Sequence, residues 1–499
     1  MALTNIQAII LAAGKSSRLK TGKTKLVEKI CGREMILYPT KLLHDMNIPT
    51  TFVVGFQKEL IIDLITQKFP VNTPTFVEQK EQLGTGHAAS CSKELWNKDH
   101  ILIMNGDMPL VTQELIEQLY SQHTKNNATF SFVTAHNCEP TAAGYGRIVQ
   151  NDSSIEIVEA KELKDDSAEN CCINAGIYLI KRAFLETYME KLQKSSVTGE
   201  WYITDLVKLA SDNGLLVETL SASFDVIRGV NTFKELWAVE QVKKAEIIKY
   251  WMDNGVRFSI AQTVQIDQDV TIQPGSYIDS GVQLLGKTSI GENCTIGAFS
   301  IITDSTIGEN TIVFSHTVIT NSSTGSTVKV GPFAHVHGNS TLHDGAVIGN
   351  FVEVKRSSIG ATSKIKHLTY LGDTTTGTNV NIGAGTITCN YNGVNKFATV
   401  IENDAFIGSN NTLIAPVTIA KNAFTAAGST ITQDVPENAL AIARTQQINK
   451  PDYVTKLKAK LSQEVLQTAP KEDISNDLIN TDKALFLGAK KSITFENIS

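Results

Sequence analysis

The sequence predicts an α/β domain with a mainly parallel sheet, followed by an all-β domain wound as a parallel β-helix. Two observations carry this reading. In residues 1 to about 232, short apolar runs alternate with amphipathic segments, which is the grammar of βαβ units. From about residue 256 an aliphatic residue returns every six positions, a period that fits neither the 3.6 of a helix nor the 2 of a flat strand.

In chain order, Ala8-Ile9-Ile10-Leu11, Thr51-Phe52-Val53-Val54 and Ile101-Leu102-Ile103-Met104 read as buried strands, and Glu59 to Ile65 as helix. In a sheet of this kind ligands sit beyond the C-terminal strand ends. Thr232 to Met252 is rich in helix formers, with Leu236, Val239, Val242, Ala245 and Ile248 on one face; it reads as a connecting helix. Ile266, Ile272, Ile278, Leu284, Ile290, Ile296 and Ile302 then recur in phase, and the phase returns at Val336, Leu342, Ile348 and Val354, and at Ile401, Ile407, Leu413 and Ile419. Ile431 follows after Thr425 takes one such place. Each six-residue piece forms one side of a triangular coil. Gly-Glu-Asn at 291–293 and 308–310 and Gly-Ser-Asn at 408–410 supply turns. The interruptions near 313–327 and 388–398 read as loops expelled from the coil. In the tail, Val454, Leu457, Leu461 and Val465 suggest a short amphipathic helix. Lys471 to Asp482 reads as solvated linker, and Ala484 to Leu487 as a segment able to dock. The expected divisions are 1–232, a connecting helix 233–255, a β-helix 256–449 and a tail 450–499.

The chain has 499 residues, 42% apolar and 19% charged, so it is globular. Its 45 basic and 51 acidic residues give a net charge of −6, which argues against a nucleic-acid binder or a basic membrane-surface protein. No apolar run approaches the ~18 residues of a membrane span, and the stretch Ile6 to Ala13 is too short for a secretory leader. The seven cysteines are scattered without a CxxC pair. That argues against a disulfide framework or a zinc site and fits a reducing cytoplasm. The neighbours Cys171 and Cys172 read as a strand pair facing opposite ways.

Two clusters carry chemistry. In the first half, the first strand runs into Ala12-Ala13-Gly14-Lys15-Ser16-Ser17-Arg18, with Lys25 following. Small residues after a strand let backbone N–H groups approach a phosphate, and Arg18 and Lys25 would neutralise its charge. A Walker A loop is excluded, because Ile9 occupies its first glycine position. Gln79 and Gln82-Leu83-Gly84-Thr85-Gly86-His87 suit a loop lying against a flat ring or sugar. Asp107, at the end of the strand 101–104, is a natural Mg²⁺ ligand once a phosphate loop stands beside it.

The run Leu11-Ala12-Ala13-Gly14 with Arg18, Lys25, Gln82 to His87, Gly106-Asp107 and Gly144-Tyr145-Gly146-Arg147 resembles sugar-phosphate nucleotidyltransferases. Val158-Glu159, Asn174 to Ile177, Trp201 to Asp205 and Gly229-Val230-Asn231, joined to the six-residue repeats, narrow the likeness. Over residues 5–448 the chain is similar to the bacterial bifunctional N-acetylglucosamine-1-phosphate uridyltransferase / glucosamine-1-phosphate acetyltransferase family. The resemblance implies a Rossmann-like nucleotidyltransferase domain and a left-handed β-helix. It implies a UTP and sugar-nucleotide pocket of Leu11, Ala12, Ala13, Gly14, Lys25, Gln79, Gly84 and Thr85, with Gln79 and Gly84 reading uracil. Arg18 and Lys25 would act on the triphosphate, Asp107 and Asn231 would hold Mg²⁺, and Gly144, Glu159, Asn174 and Tyr202 would hold the sugar phosphate. It also implies a cytoplasmic homotrimer acting on small molecules, with neither nucleic acid nor membrane as partner. The chain departs from the family pattern at Ser16, Ser17 and Thr24.

In the second half, amide formation needs a base for the sugar ammonium and a donor for the thioester oxyanion. His367 is the candidate base and Glu353 its orienting partner. The resemblance places glucosamine 1-phosphate on His337, Lys355, Tyr370, Asn381 and Lys396. It places acetyl-CoA on Ala384, Asn390, Tyr391, Ser409, Ala427 and Arg444. His337 stands where the family carries arginine. Loss of that fork would weaken phosphate binding by about 1–3 kcal/mol. A uridyltransferase whose β-helix serves only for trimerisation therefore stays open as an alternative.

Overall fold

The computed structural model describes residues 3, 5–15, 17–71, 73–139, 142–150, 154–163 and 171–468. Ser16, the linker 471–482 and the segment 484–487 lie outside the described residues. The chain forms one compact unit to Arg444 and a second from Thr445. In the second, a helix spans Tyr453–Thr468.

The first half is built on one sheet. Its strands lie in the order Val217–Ser221, Phe130–His136, Cys172–Lys181, His100–Asn105, Ile6–Ala12, Thr50–Val54, Thr75–Glu78. All these neighbours pair in parallel except Cys172–Lys181, which is antiparallel on both sides. The apolar runs are strands because both sheet faces are covered: Ile9, Ile10 and Ile101 to Met104 have no exposed surface. The chain builds outward from Ile6–Ala12 on one side, then crosses to His100–Asn105 on the other. That reversal opens a crevice beyond Ala12 and Asn105, where such sheets bind ligands.

The connecting helix spans Phe233–Asp253 and starts on a capping box between Thr232 and Glu235. Its buried face is Val239, Ile247 and Ile248, whereas Ala245 is exposed. The helix packs on the hairpin strand Lys29–Ile30 and on the first coil. Arg33 pairs with Asp269 at the same junction.

From Arg257 the chain winds as a parallel β-helix. Tyr277 pairs with Thr295 one full coil later, and the aliphatic column from Ile266 to Ile302 is buried throughout. The segment 313–327 corrects the sequence reading: it is not an expelled loop. Val313, Ile319 and Thr324 stay inside the coil. The phase slips because some sides are one residue short of six, so Ser289 pairs with Thr306 and Ile301 with Val318, each pair one position closer in sequence than Tyr277 and Thr295. By contrast, Thr374 pairs with Thr399, well beyond the length of an ordinary coil. The surplus leaves the coil as the loop at 390–398, closed by a bridge between Tyr391 and Lys396.

One coil corner carries left-handed residues Phe299, His316, Phe333, Phe351 and Leu368. The four rings meet rung on rung, edge to face in Phe299–His316 and His316–Phe333, with centroids 5.3 and 5.0 Å apart, and stacked in Phe333–Phe351 at 5.5 Å. These phenylalanines and Leu368 are exposed.

A second correction concerns the cysteines. Cys171 is bonded to Cys138. Cys138 follows strand Phe130–His136 and Cys171 precedes Cys172–Lys181, and Cys172 faces His136 in register, so the two strand ends bring the sulfurs together. Among the described residues no helix is long and apolar enough to cross a membrane.

Candidate active sites

The crevice of the first half is a cleft of about 350 Å³ lined by Leu11, Ala12, Ala13, Gly14, Lys25, Gln79, Gly84, Thr85 and Asp107, with Glu200 at its edge. Leu11 and Ala12 end the first strand, Ala13, Gly14, Gln79 and Asp107 follow strand ends, Lys25 starts a 3₁₀ turn, and Thr85 opens a short helix after Gly84. Gln79 follows strand Thr75–Glu78 and is buried; its Nε2 donates to Gly84 O at 3.1 Å. Gly84 has φ +107°, and a Cβ there would lie 2.4 Å from Trp201 O, so only glycine fits. Thr85 Oγ1 accepts from Ile203 N at 3.1 Å and anchors the loop that carries Tyr202.

The charged centre spans distant parts of the chain. Lys25 Nζ donates to Asp107 Oδ2 at 2.5 Å and to Asn231 Oδ1 at 2.7 Å, and Arg18 Nη2 reaches the same Asn231 oxygen at 2.8 Å. Val230 N donates to Asp107 O, and Asn231 N to Glu235 at the helix start. Those two bonds hold the strand end and the helix end together. Two hard oxygens, one carboxylate and one amide, therefore converge on a single cation position. That donor set fits Mg²⁺, a hard cation that takes oxygen ligands.

Glu159, Asn174 and Tyr202, expected from sequence to hold the sugar phosphate, are not among the residues that line this cleft. Thr204 Oγ1 donates to Glu159 Oε1 at 2.7 Å, and burial raises the Glu159 pKa. Asn174 Nδ2 donates to Tyr178 Oη at 2.7 Å, and Tyr202 Oη pairs with Thr198 Oγ1 at 2.7 Å. Gly144 sits on a turn tied down by Arg147, whose Nη1 donates to the carbonyls of Ala142 and Tyr145, both at 2.9 Å. Tyr145 Oη accepts from Gly229 N at 2.9 Å, which couples the turn to the charged centre. Its phenol is pushed up to about 12 by burial. The motif around Gly144 pointed to this turn; the positioning role of Tyr145 needed the fold.

On the β-helix the candidate base is His367, on strand Lys364–Gly372 and exposed. Its Nδ1 faces Asn350 Oδ1 at 3.0 Å, because Asn350 is its partner one rung earlier. Glu353, the partner expected from sequence, does not orient it. It lies further along the strand, opposite Tyr370, and accepts from His337 Nε2 at 3.1 Å. Glu353 stands too near His367 in sequence to be its rung partner, because one local rung spans a separation of 17.

Lys355 lies between His337 and Gly372 on adjacent rungs. Beside them Arg356 grips Asp373 with two bonds, 2.7 and 2.9 Å, and Asn390 Nδ2 meets the same carboxylate at 2.5 Å. The Arg356 guanidinium holds the Asp373 pKa below the usual carboxylate range. A Cβ on Gly372 would lie 2.4 Å from Tyr370 Oη, so glycine keeps that hydroxyl and Asn390 in place. Sequence reading missed Arg356, which occupies a left-handed corner position. Asn381 pairs with Lys364 on the previous rung, and Lys396 sits on the expelled loop with Tyr391. Ala384 and Ser409 form a column with Ala427: Asn410 N donates to Ala384 O at 2.7 Å and Gly428 N to Ser409 O at 2.8 Å. Arg444 follows the last coil strand, Leu440–Ala441, and is exposed.

Known proteins match about nine tenths of the chain. Residues 8–160 match the MobA-like NTP transferase domain, 260–344 the GMPPB C-terminal domain, and 398–433 the bacterial transferase hexapeptide (six repeats). The Bifunctional protein GlmU of Exiguobacterium sibiricum is 40% identical over 453 residues, 89% of this chain and 99% of its own length. Proteins of the same name from Geobacillus sp. and Clostridium tetani are 40% and 39% identical over 91% and 90% of this chain and 98% of their own. The chain therefore belongs to the bifunctional GlmU family.

Proposed function

We propose that the chain makes UDP-N-acetylglucosamine in two steps at two sites. It transfers acetyl from acetyl-CoA to glucosamine 1-phosphate on the β-helix. It then transfers uridylyl from UTP to the acetylated sugar phosphate in the first half, releasing pyrophosphate. The observation that carries this is the joint presence of both sites in a chain that matches proteins named bifunctional over nearly their full length.

In uridylyl transfer a phosphate oxygen of N-acetylglucosamine 1-phosphate attacks the α-phosphorus of UTP in line. No covalent enzyme intermediate is needed, only positioning and charge stabilisation. Lys25 and Arg18 meet the triphosphate, and Gln79 with the Gly84 backbone reads the base. Asp107 and Asn231 would hold Mg²⁺, which when bound would neutralise phosphate charge.

In acetyl transfer Asn350 Oδ1 accepts from His367 Nδ1, which leaves Nε2 unprotonated and able to act as base. The sugar ammonium first loses one proton to solvent; His367 Nε2 takes a second as the C–N bond forms and the C–S bond breaks, and passes it to the CoA thiolate, so the amide, the thiol and one solvent proton result. Lys355 and Lys396 hold the sugar phosphate, and the Ala384–Ser409–Ala427 column with Asn390, Tyr391 and Arg444 takes acetyl-CoA.

The working form is a homotrimer. Two features support self-association: His367 lies on an exposed coil face, and the aromatic corner next to it is uncovered in the single chain. A monomer in light scattering would defeat that part. The functional test supplies glucosamine 1-phosphate, acetyl-CoA and UTP and follows CoA and pyrophosphate separately. Both are expected. Pyrophosphate release from UTP with N-acetylglucosamine 1-phosphate as acceptor, without any CoA release, would leave a uridyltransferase alone.

A further inference from the structure

His335 and His337 lie two positions apart on strand His335–His337 and so face the same way from the coil. Their rings are stacked, with centroids 4.0 Å apart. Glu353 stands directly opposite His335 on the next rung. Its Oε1 is 3.1 Å from His337 Nε2. One donor atom from each of the three residues lies within 4.8 Å of the other two. Neighbouring ligands of a tetrahedral zinc ion are about 3.3 Å apart. The His337–Glu353 pair already has that spacing, and rotation of the exposed His335 ring completes the set. Two imidazoles and a carboxylate suit zinc among the common divalent ions and leave its fourth position open. Such a site departs from the expectation drawn from the cysteines that the chain has no zinc site, because its ligands are imidazoles and a carboxylate.

The charge of the pocket gives this ion a task. With neutral imidazoles, Glu353 and its neighbour Lys355 cancel. A sugar phosphate dianion would then meet no net positive charge from this group. A divalent ion brings the cluster to +2, matching the dianion, and its open position accepts a phosphate oxygen. We infer that His335, His337 and Glu353 bind a zinc ion that takes the phosphate of the acetyl acceptor beside Lys355, in place of a guanidinium at position 337. The metal site stands on the geometry alone; its phosphate role rests on the acetyltransferase reading above.

The test uses the full chain, stripped with a chelator and titrated with Co²⁺ as a spectroscopic stand-in, without substrates. The expected result is one Co²⁺ per chain with the intense visible absorption of a tetrahedral site. His335→Asn and Glu353→Gln should weaken that binding by more than about tenfold. Both changes lie on the coil surface, and undiminished uridylyl transfer by the same preparations reports that the chain is folded. In CoA-release assays, stripping should raise the KM for glucosamine 1-phosphate about tenfold or more, with kcat little changed. Zn²⁺ should restore it and Mg²⁺ should not, while His335→Asn stays insensitive to Zn²⁺. A wild-type chain without the tetrahedral band, or a band unaltered in both variants, would overturn the metal site. A KM indifferent to stripping would overturn its phosphate role. If the band is lost in the variants but no CoA is released under any condition, the acetyltransferase reading and the phosphate role fail while the metal site stands.

Discussion

The two sites are assembled over different spans of chain. In the first half, Arg18 and Lys25 reach Asn231 across separations of 213 and 206, and Lys25 reaches Asp107 across 82. On the β-helix, His367 meets Asn350, Arg356 meets Asp373 and Asn390 meets Asp373, each across 17. The first site exists only when the sheet, the Gly144 turn and the start of the connecting helix are all in place. The second needs only neighbouring rungs. Damage to one should therefore leave the other intact.

The sharpest way to break this contrast is at the reacting groups. His367→Ala removes the base and should lower kcat for CoA release by about 10²- to 10⁴-fold, with pyrophosphate release from N-acetylglucosamine 1-phosphate unchanged. Asp107→Ala should do the reverse, lowering uridylyl transfer by about 10²- to 10³-fold and sparing CoA release. Initial rates of the two products check both.

Acid should also divide the halves. His123 is fully buried between Ser131 and His100, and burial lowers its pKa to about 3. The folded chain keeps it neutral, whereas the unfolded chain takes up a proton below about 6.5. Stability is thus lost as pH falls from 6.5 toward 3, by about 2 kcal/mol at pH 5. The coil core is aliphatic and holds no buried histidine among the described residues. Melting followed between pH 7 and pH 5 should fall in the wild type and flatten in His123→Gln. A slope unchanged by the substitution would remove His123 as the cause. The smallest effect is expected at Asn350→Ala, which frees His367 to turn and should cost about tenfold in kcat for acetyl transfer. Glu353→Ala should leave the pH profile of kcat in place, because Glu353 does not touch the base.

The same contrast explains what was legible in the sequence. Six-residue periodicity is local, so the coil could be read directly wherever each side keeps its full length. Where a side is one residue short, as before Ile307, the phase slips and an intact coil looks interrupted. The pairing of Glu353 with His367 expected from sequence fails as well, because the rung register gives His367 to Asn350. Strand and helix positions in the first half were legible from burial patterns. The contacts among Arg18, Lys25, Asp107 and Asn231 were not, because no local pattern encodes a contact between such distant parts of the chain; strand-end chemistry pointed to the first three, and only the family resemblance added Asn231. Tyr145 and Arg356 act through bonds that the fold alone creates. The Cys138–Cys171 bond likewise depends on which strands become neighbours.

The most direct test of two independent sites is to follow CoA and pyrophosphate together in wild type, Asp107→Ala and His367→Ala, each supplied with the substrates of both steps and with N-acetylglucosamine 1-phosphate added. Each variant should lose one product and keep the other at the wild-type rate. Loss of both products in either variant, with the chain still folded, would contradict the account.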